Sequence, residues 1–358
     1  MTDFLVKKDD FRDVRVTDSG VPEPAPGEAL LRVDTFGMTA NNVTYAVFGE
    51  AMSYWSFFPA ESGWGRVPVW GFADVIATAH DGLAEGTRVY GYLPTSTELV
   101  VAPDPVSERG FVDASPHRSE LPAPYNGYRS VDADPVYDAR YEDQQMLLFP
   151  LFYTSFLLDD FIADAGFFGA GAVVLSSASS KTAIALAFLL AQREGLEVIG
   201  LTSEGNVGFV EELGTYDRVV AYDAVDSLPD SNAVYVDMSG NGIVREQVHR
   251  HYGDRLAHSA VVGDTHWDVT EGGEGALPGA RPTFFFAPDQ VKARTVDWGA
   301  DGLEARVSDA WRPFVEGTER WLDVVHGSGP EAVEAVYREL LDGRTDPSIG
   351  HVLTLREG

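Results

Sequence analysis

The chain has 358 residues, room for about two domains of ~100–200 residues each, and at 44% apolar it can bury a sizeable core. It contains no cysteine, which excludes disulfides, thiolate nucleophiles and every zinc site built on Cys. Fifty-six acidic residues face 26 basic ones, a formal net charge of −30 without a basic stripe, and this argues against a polyanionic partner such as nucleic acid.

The opening stretch MTDFLVKKDDFRDVRV alternates charge with hydrophobe, whereas a signal peptide needs a continuous apolar stretch. No apolar run approaches the ~18 residues of a membrane span, so the expected compartment is the cytoplasm. Lysine occurs four times (Lys7, Lys8, Lys181, Lys292) against 22 arginines, which suits a proteome adapted to high salt, with a GC-rich genome as the alternative. Either way the charge bears on solubility, not on chemistry. Up to about residue 145, short apolar runs are punctuated by Pro and Gly: EALLRVDTFGM, VPVWGFADVIATAH, EGTRVYGYLP and ELVVAP. They predict a β-rich domain. Eight aromatics, Tyr45, Phe48, Tyr54, Trp55, Phe57, Phe58, Trp64 and Trp70, fall within 26 residues. They either wall an apolar cleft for a flat or unsaturated substrate or form a small core under a long loop. Pro103 to Asp143, rich in Pro, Asp, Arg and Tyr, reads as ordered loop over the surface.

From Gln144 helix and strand alternate. MLLFPLFYTSFLLDDFIADAG predicts a helix, AVVLSS (172–177) a buried strand and SKTAIALAFLLAQREG a helix. EVIGL (197–201) predicts the next strand and NVGFVEELG a helix; DRVVAYD follows. Then come the strand AVYVDMSG (233–240), the helix IVREQVHRHYG and the strands HSAVVGD and PTFFFAP (282–288). Such alternation calls for a doubly wound parallel sheet, an α/β dinucleotide-binding fold. Helical patterns follow from Asp309 to Val325 and from Pro330 to Leu341. A lone final strand, GHVLTL (350–355), is expected to rejoin the N-terminal β domain. The expected division is residues 1–148, with a C-terminal return from about 305 to 358, and a dinucleotide-binding domain over 149–304.

Ligands of open α/β sheets sit at strand C-termini, so the turn after Val173–Ser177 is the first candidate site. Gly169-Ala170-Gly171 precedes the strand and cannot form that turn. The turn itself reads Ser176-Ser177-Ala178-Ser179-Ser180-Lys181-Thr182 in place of G-x-G-x-x-G. Small hydroxyl residues still let a phosphate approach, a helix N-terminus supplies N–H groups, and Lys181 adds charge. The plain alternative is a Ser-capped helix with a solvent-facing lysine. A Walker loop is excluded, because the required glycines are replaced by Ser180 and Leu175. After Leu201 come Thr202 and Ser203 where an NAD site places a carboxylate. With Asn206 nearby, this favours NADP over NAD, although no Arg or Lys lies between Glu194 and Asp217.

Other chemistry finds little support. His249 and His251 point to different sides of one helix, and His80, His117, His258, His266, His326 and His351 are isolated, so no metal site is expected. No G-x-S-x-G elbow occurs; the best-placed serine, Ser239, has Asp237 and Asn241 at the glycine positions. A Tyr-x-x-x-Lys pair is absent as well.

The layout resembles the medium-chain dehydrogenase/reductase superfamily, in its zinc-free quinone and enoyl reductase branch. Met38-Thr39-Ala40-Asn41-Asn42-Val43-Thr44 followed by Gly49 is similar to that branch's Asn-Pro-x-Asp segment. Val236-Asp237-Met238-Ser239-Gly240 is similar to its Asp-x-x-Gly turn under the nicotinamide ribose. The branch's Gly-Gly-Val-Gly phosphate turn is replaced by Ser179-Ser180-Lys181-Thr182. NNVTYAVFGEAMSYWSFFPA, VPVWGFADV, YGYLP and FFFAPDQVKAR resemble domain-of-unknown-function family 2855. The resemblance implies a GroES-like β-rich domain beside a Rossmann domain. It also implies an NADPH-dependent, metal-free reductase of a conjugated alkene, enone or quinone. A catalytically inactive nucleotide-binding or structural protein is the alternative, and a different NADP-dependent oxidoreductase a third. Cofactor contacts would come from Ser177, Ser179, Ser180, Lys181, Thr182, Thr202, Ser203, Asn206, Asp237 and Ser239. Tyr54 is the implied proton donor with Tyr45 as runner-up, Asn42 orienting the substrate or the nicotinamide edge. Tyr54 packing among Trp55, Phe57 and Phe58 is the plain alternative. The expected partner is a small-molecule substrate, with no nucleic acid and no membrane. A homodimer through PTFFFAP is also expected, since a long apolar edge strand is a liability in a monomer.

Overall fold

The computed structural model describes residues 1–262 and 277–357; His266 and the end of the expected strand HSAVVGD lie outside them. The chain divides into two units, Met1–Leu147 with Leu322–Gly358, and Leu148–Trp321.

In the first unit, alternation of polar and apolar residues sets the strands. β1 (Thr2–Lys7) and β2 (Asp10–Asp18) form an antiparallel hairpin, so the charged opening stretch is a strand pair whose Phe4, Leu5 and Val6 are buried. β3 (Ala29–Met38) leads into α1 (Ala40–Val47); β4 (Trp64–Gly65) pairs with β1. β5 (Pro68–Thr78), β6 (Arg88–Pro94) and β7 (Glu98–Val101) follow. The Pro103–Asp143 segment is not surface loop throughout. It contributes β8 (Pro103–Ser107), β9 (Gly110–Asp113) and β10 (Gly127–Ser130), and β10 pairs with β6, Tyr128 opposite Gly91. Tyr128 packs its ring where any side chain on Gly91 would stand.

In the second unit, α2 (Glu142–Asp164), which contains the unit boundary, is followed by β11 (Ala172–Leu175), α3 (Lys181–Leu190), β12 (Glu197–Thr202), α4 (Val207–Glu212) and β13 (Arg218–Ala221). Next come β14 (Ala233–Asp237), α5 (Gly242–Tyr252), β15 (Leu256–Val261), β16 (Pro282–Phe284) and α6 (Ala287–Gly317). The six strands are all parallel, in the order β13-β12-β11-β14-β15-β16. Counted within the unit this is 3-2-1-4-5-6, the doubly wound dinucleotide-fold order. Every residue of β11 and β14 is buried, as strands covered on both faces require.

Two expected elements end early. The strand PTFFFAP stops at Phe284, because Ala287 and Pro288 open α6, and proline suits a first helical turn. The helix expected over Asp309–Val325 ends at Gly317. The return to the first unit then starts at Leu322 rather than about 305, since Trp311 and Phe314 hold α6 against Phe149, Phe152 and Phe188. β17 (Asp323–Ser328), α7 (Pro330–Leu341) and β18 (Ile349–Thr354) complete the chain. β18 pairs parallel with β17 and antiparallel with β3, so the closing strand rejoins the large sheet of the first unit. Among the described residues, 139–164 are long and apolar enough to cross a membrane by length and composition; 61% of that apolar window is buried, the pattern of a core helix.

Candidate functional site

In the second unit the strand order reverses between β11 and β14, and small polar residues leave both strands. Ser176 and Asp237 are fully buried there. Ser176 Oγ donates to Asp237 Oδ1 at 2.9 Å and accepts from the N–H groups of Met238 (3.0 Å) and Ser239 (3.2 Å). The same carboxylate oxygen accepts from Ser239 N–H (3.1 Å), Ser239 Oγ (2.9 Å) and Gly240 N–H (3.0 Å). Arg245 Nε donates to Oδ2 at 2.7 Å. A carboxylate removed from water needs donors on both oxygens. Here they clasp the two strand ends together.

The turn after β11 is held from the side of β12 and β13. Ser177 adopts φ 52°, the left-handed conformation that glycine provides in glycine-rich turns, and its N–H donates to Tyr222 Oη at 2.9 Å. Tyr216 Oη donates to the Ala178 carbonyl at 2.9 Å, and Asn206 Nδ2 to Ser179 Oγ at 3.0 Å. Ser180 caps α3 by accepting from Ala183 N–H. Lys181 and Thr182 open that helix; the Thr182 carbonyl accepts from Ser155 Oγ at 2.8 Å. Thr202 ends β12 buried, and Ser203 beyond it is exposed. Ser177, Ser179, Ser180 and Asn206 thus share one edge of the turn, with Asp237 and Ser239 at the clasp. Tyr222 and Arg245 are additions that no local motif announces.

The aromatic residues of the first unit divide into separate groups. Trp55 belongs to the main core, where Gly49 and Gly65 sandwich its indole so closely that a Cβ on either would overlap it. Trp64 lies under the Arg15 guanidinium. Tyr45, Phe57, Phe58 and Tyr92 form a distinct buried cluster, with Tyr54, Trp70 and Tyr125 packed against it. Ring centroids are 4.7 Å apart for Tyr45–Tyr54, 5.4 Å for Tyr45–Tyr92 and 5.9 Å for Tyr54–Tyr125. Trp70 Nε1 donates to Tyr45 Oη at 3.2 Å, and the Asn41 side chain stands close enough to that hydroxyl to favour its ionised form against the effect of burial. Asn42 is buried and committed to backbone: its Oδ1 accepts from Thr39 N–H at 2.7 Å and its Nδ2 donates to the Pro68 carbonyl at 2.8 Å. Of the two asparagines, Asn41 stands beside the tyrosine cluster. Burial raises the phenols of Tyr45 and Tyr54 above their ordinary range and keeps both protonated.

Among the described residues no three His, Asp or Glu side chains converge to hold a metal ion. His249 is buried on α5, with Nδ1 3.0 Å from the Pro278 carbonyl and Nε2 3.0 Å from Ser259 Oγ.

The chain resembles solved structures over its whole length. CurA from Vibrio vulnificus is 14% identical with a TM-score of 0.62, over 100% of this chain and 99% of that chain. CurA in complex with NADPH, from the same organism, is 12% identical with a TM-score of 0.63, over 100% of both chains. A mutant form of the enoyl thioester reductase from Candida tropicalis is 12% identical with a TM-score of 0.59, over 99% of both. No curated protein matches the sequence. The fold is therefore that of these structures, a GroES-like β-rich unit and a Rossmann unit with a doubly wound parallel sheet. The chain belongs to the family described as "Protein of unknown function (DUF2855)", whose model matches residues 36–346.

Proposed function

We propose that the chain is an NADPH-dependent, metal-free reductase of a conjugated alkene, enone or quinone. The observation that carries this reading is the switch point of the second unit, where a turn of small hydroxyl residues meets a buried carboxylate. Those residues fit a dinucleotide. No side chain larger than serine stands in the turn before Lys181, the Ser180-capped helix end offers N–H groups, and the hydroxyl of Ser179 stands beside the amide of Asn206. Ser177, Ser180, Lys181 and Thr182 would hold the diphosphate. Ser179, Thr202, Ser203 and Asn206 would hold the adenosine ribose and its 2′-phosphate, and Asp237 and Ser239 the nicotinamide ribose. When bound, NADPH supplies the hydride. The fold likeness to CurA, which has been crystallised in complex with NADPH, supports the same cofactor.

The tyrosine cluster of the first unit supplies the acid. Tyr54 is the proton donor to the enolate, because it is only partly buried, whereas Tyr45 is buried and already accepts from Trp70. Asn42 acts on this site by fixing the start of α1, which carries Tyr45 and Asn41. A second reading, a nucleotide-binding or structural protein without turnover, is favoured by one observation: the Ser177 N–H, a donor a cofactor phosphate would use, is already taken by Tyr222, which weakens the cofactor site. Two measurements separate these readings. Quenching of NADPH fluorescence on titration tests the site, and loss of nicotinamide absorbance with cyclohexenone or a naphthoquinone tests turnover. Binding with turnover supports the reductase, and binding alone supports the second reading. Absence of NADPH binding overturns the reductase and supports the structural form of the second reading.

A further inference from the structure

We infer that Tyr222 is a positioning residue for the turn after β11: its hydroxyl holds Ser177 in the left-handed conformation that a glycine would otherwise have to supply. The inference rests on the reading of that turn as the cofactor site, and it accounts for how a turn without the usual glycines keeps its course.

The rotation φ of Ser177 joins the peptide unit before the residue to the one after it, and both units are pinned. Before it, Ser176 N–H donates to the Val236 carbonyl at 3.1 Å, and Ser177 N–H donates to Tyr222 Oη at 2.9 Å. After it, Ala178 N–H donates to the Leu201 carbonyl at 3.0 Å, and the Ser177 carbonyl accepts from Ser180 N–H at 2.8 Å. Ala178 is fully buried, and its methyl fits because its neighbour on β12 is Gly200, where a Cβ would stand 2.8 Å from it. Tyr216 holds the next carbonyl, that of Ala178. The later unit is thus fixed to β12, and Tyr222 is the partner that fixes the N–H of the earlier one. The rotation left between them is φ 52°, which a residue with a Cβ adopts only at a cost and glycine adopts freely. The hydrogen bond to Tyr222 offsets that cost.

Tyr222 can serve as a support because its own place is set by other contacts. It follows Ala221, the last residue of β13, which pairs with Thr202 of β12, and it opens the 3-10 segment Tyr222–Ser227. Its ring packs against the buried cluster that includes Val174, Leu201 and Tyr235. The bond then has two opposing consequences for a ligand. It withdraws the Ser177 N–H, and it keeps the chain on the course that sets Ser179 beside Asn206 and Ser180 at the cap of α3. The second outweighs the first, since one N–H is a single donor whereas the course of the turn places all the groups that follow.

The test makes Tyr222→Phe in three backgrounds, the native chain, Ser177→Ala and Ser177→Gly, and titrates each with NADPH by fluorescence. Alanine keeps the need for support and removes the serine hydroxyl, whereas glycine removes the need itself. Tyr222→Phe should raise the NADPH dissociation constant about tenfold in the native and Ser177→Ala backgrounds and cause no rise in the Ser177→Gly background. An equal rise in all three would mean that Tyr222 touches the ligand or only packs, and would overturn the inference. A rise confined to the native background, or none anywhere, overturns it too. Crystal structures of the cofactor-free chain add a readout that no ligand enters. Residue 177 should leave positive φ in Tyr222→Phe and keep it in the double variant with Ser177→Gly, and a φ still near 52° in Tyr222→Phe alone sinks the idea. If Tyr222→Phe does not fold by itself, recovery of folding in the Ser177→Gly background supports the inference and continued failure counts against it. Should the native chain bind no NADPH, the cofactor reading fails, and the crystal structures still decide the role of Tyr222.

Discussion

Ser203 stands exposed one residue beyond the end of β12, at the position from which an acidic side chain would accept from a ribose 2′-hydroxyl. A hydroxyl there leaves room for a 2′-phosphate, whereas a carboxylate repels it. Ser203→Asp is therefore expected to reverse the cofactor preference from NADPH to NADH, read as the ratio of the two dissociation constants by fluorescence titration. An unchanged ratio would remove Ser203 from the ribose site. Tyr54 carries the second prediction at this scale. Tyr54→Phe preserves the ring packing against Tyr45 and removes only the acid. With an enone substrate, kcat should fall by roughly 10²-fold or more while NADPH affinity is unchanged. Equal kcat in variant and wild type would assign Tyr54 to packing alone.

Single positions also decide how whole elements are seated. The 3-10 turn Tyr54–Ser56 is held by Trp55, whose indole is sandwiched between Gly49 after α1 and Gly65 in β4. Gly49→Ala would push a methyl into that ring, an overpacking cost of about 1–3 kcal/mol. The expected readout is a lower denaturation midpoint together with perturbed Tyr54 resonances. α5 is seated through His249, whose ring nitrogens meet the Pro278 carbonyl and Ser259. Burial, assisted by the Arg245 charge and opposed by Asp237 and Pro278, lowers the His249 pKa below its ordinary 6.5. The folded state therefore binds this proton less readily than the unfolded one. The stabilisation is complete above pH 6.5 and is lost progressively as the pH falls below it. His258, stacked on Phe168 at 4.1 Å, acts with the same sign. Denaturation midpoints measured above and below pH 6.5 should decline on the acid side, with a shallower decline in His249→Asn.

On the scale of the whole molecule, the six-stranded sheet ends at β16, where Phe284 and Phe286 are exposed with ring centroids 6.3 Å apart. Unpaired strand edges with apolar side chains favour pairing with another chain. We expect a homodimer through this edge, seen by light scattering as twice the monomer mass at high salt. A Phe284→Lys variant should run as the monomer. Salt is part of the prediction, because a charge of −30 on each copy is screened only when the Debye length is short. A wild-type monomer at high salt would rule the dimer out.

What the sequence determined by itself was the order of the elements and the class of sheet. Runs such as AVVLSS and AVYVDMSG are short, apolar and β-branched, which suits strands buried on both faces, and the intervening helices are long enough only for parallel crossovers. The serine-rich turn was legible for the same reason: a strand followed at once by a capped helix leaves one place for it. Other features depended on partners distant in sequence. β8, β9 and β10 look like loop because Pro and Asp interrupt their alternation, and only pairing such as Tyr128 with Gly91 makes them strands. Tyr222 meets Ser177 across 45 residues and Asp237 meets Ser176 across 61, separations that no local spacing encodes. Asn41 and Asn42 are adjacent and chemically identical, and the direction of α1 alone sets one beside the Tyr45 hydroxyl and gives the other to the backbone. Local periodicity carries the elements, because it is set by near neighbours. The site was decided by the tertiary structure, because its long-range hydrogen bonds are made by residues that only chain folding brings within reach of one another.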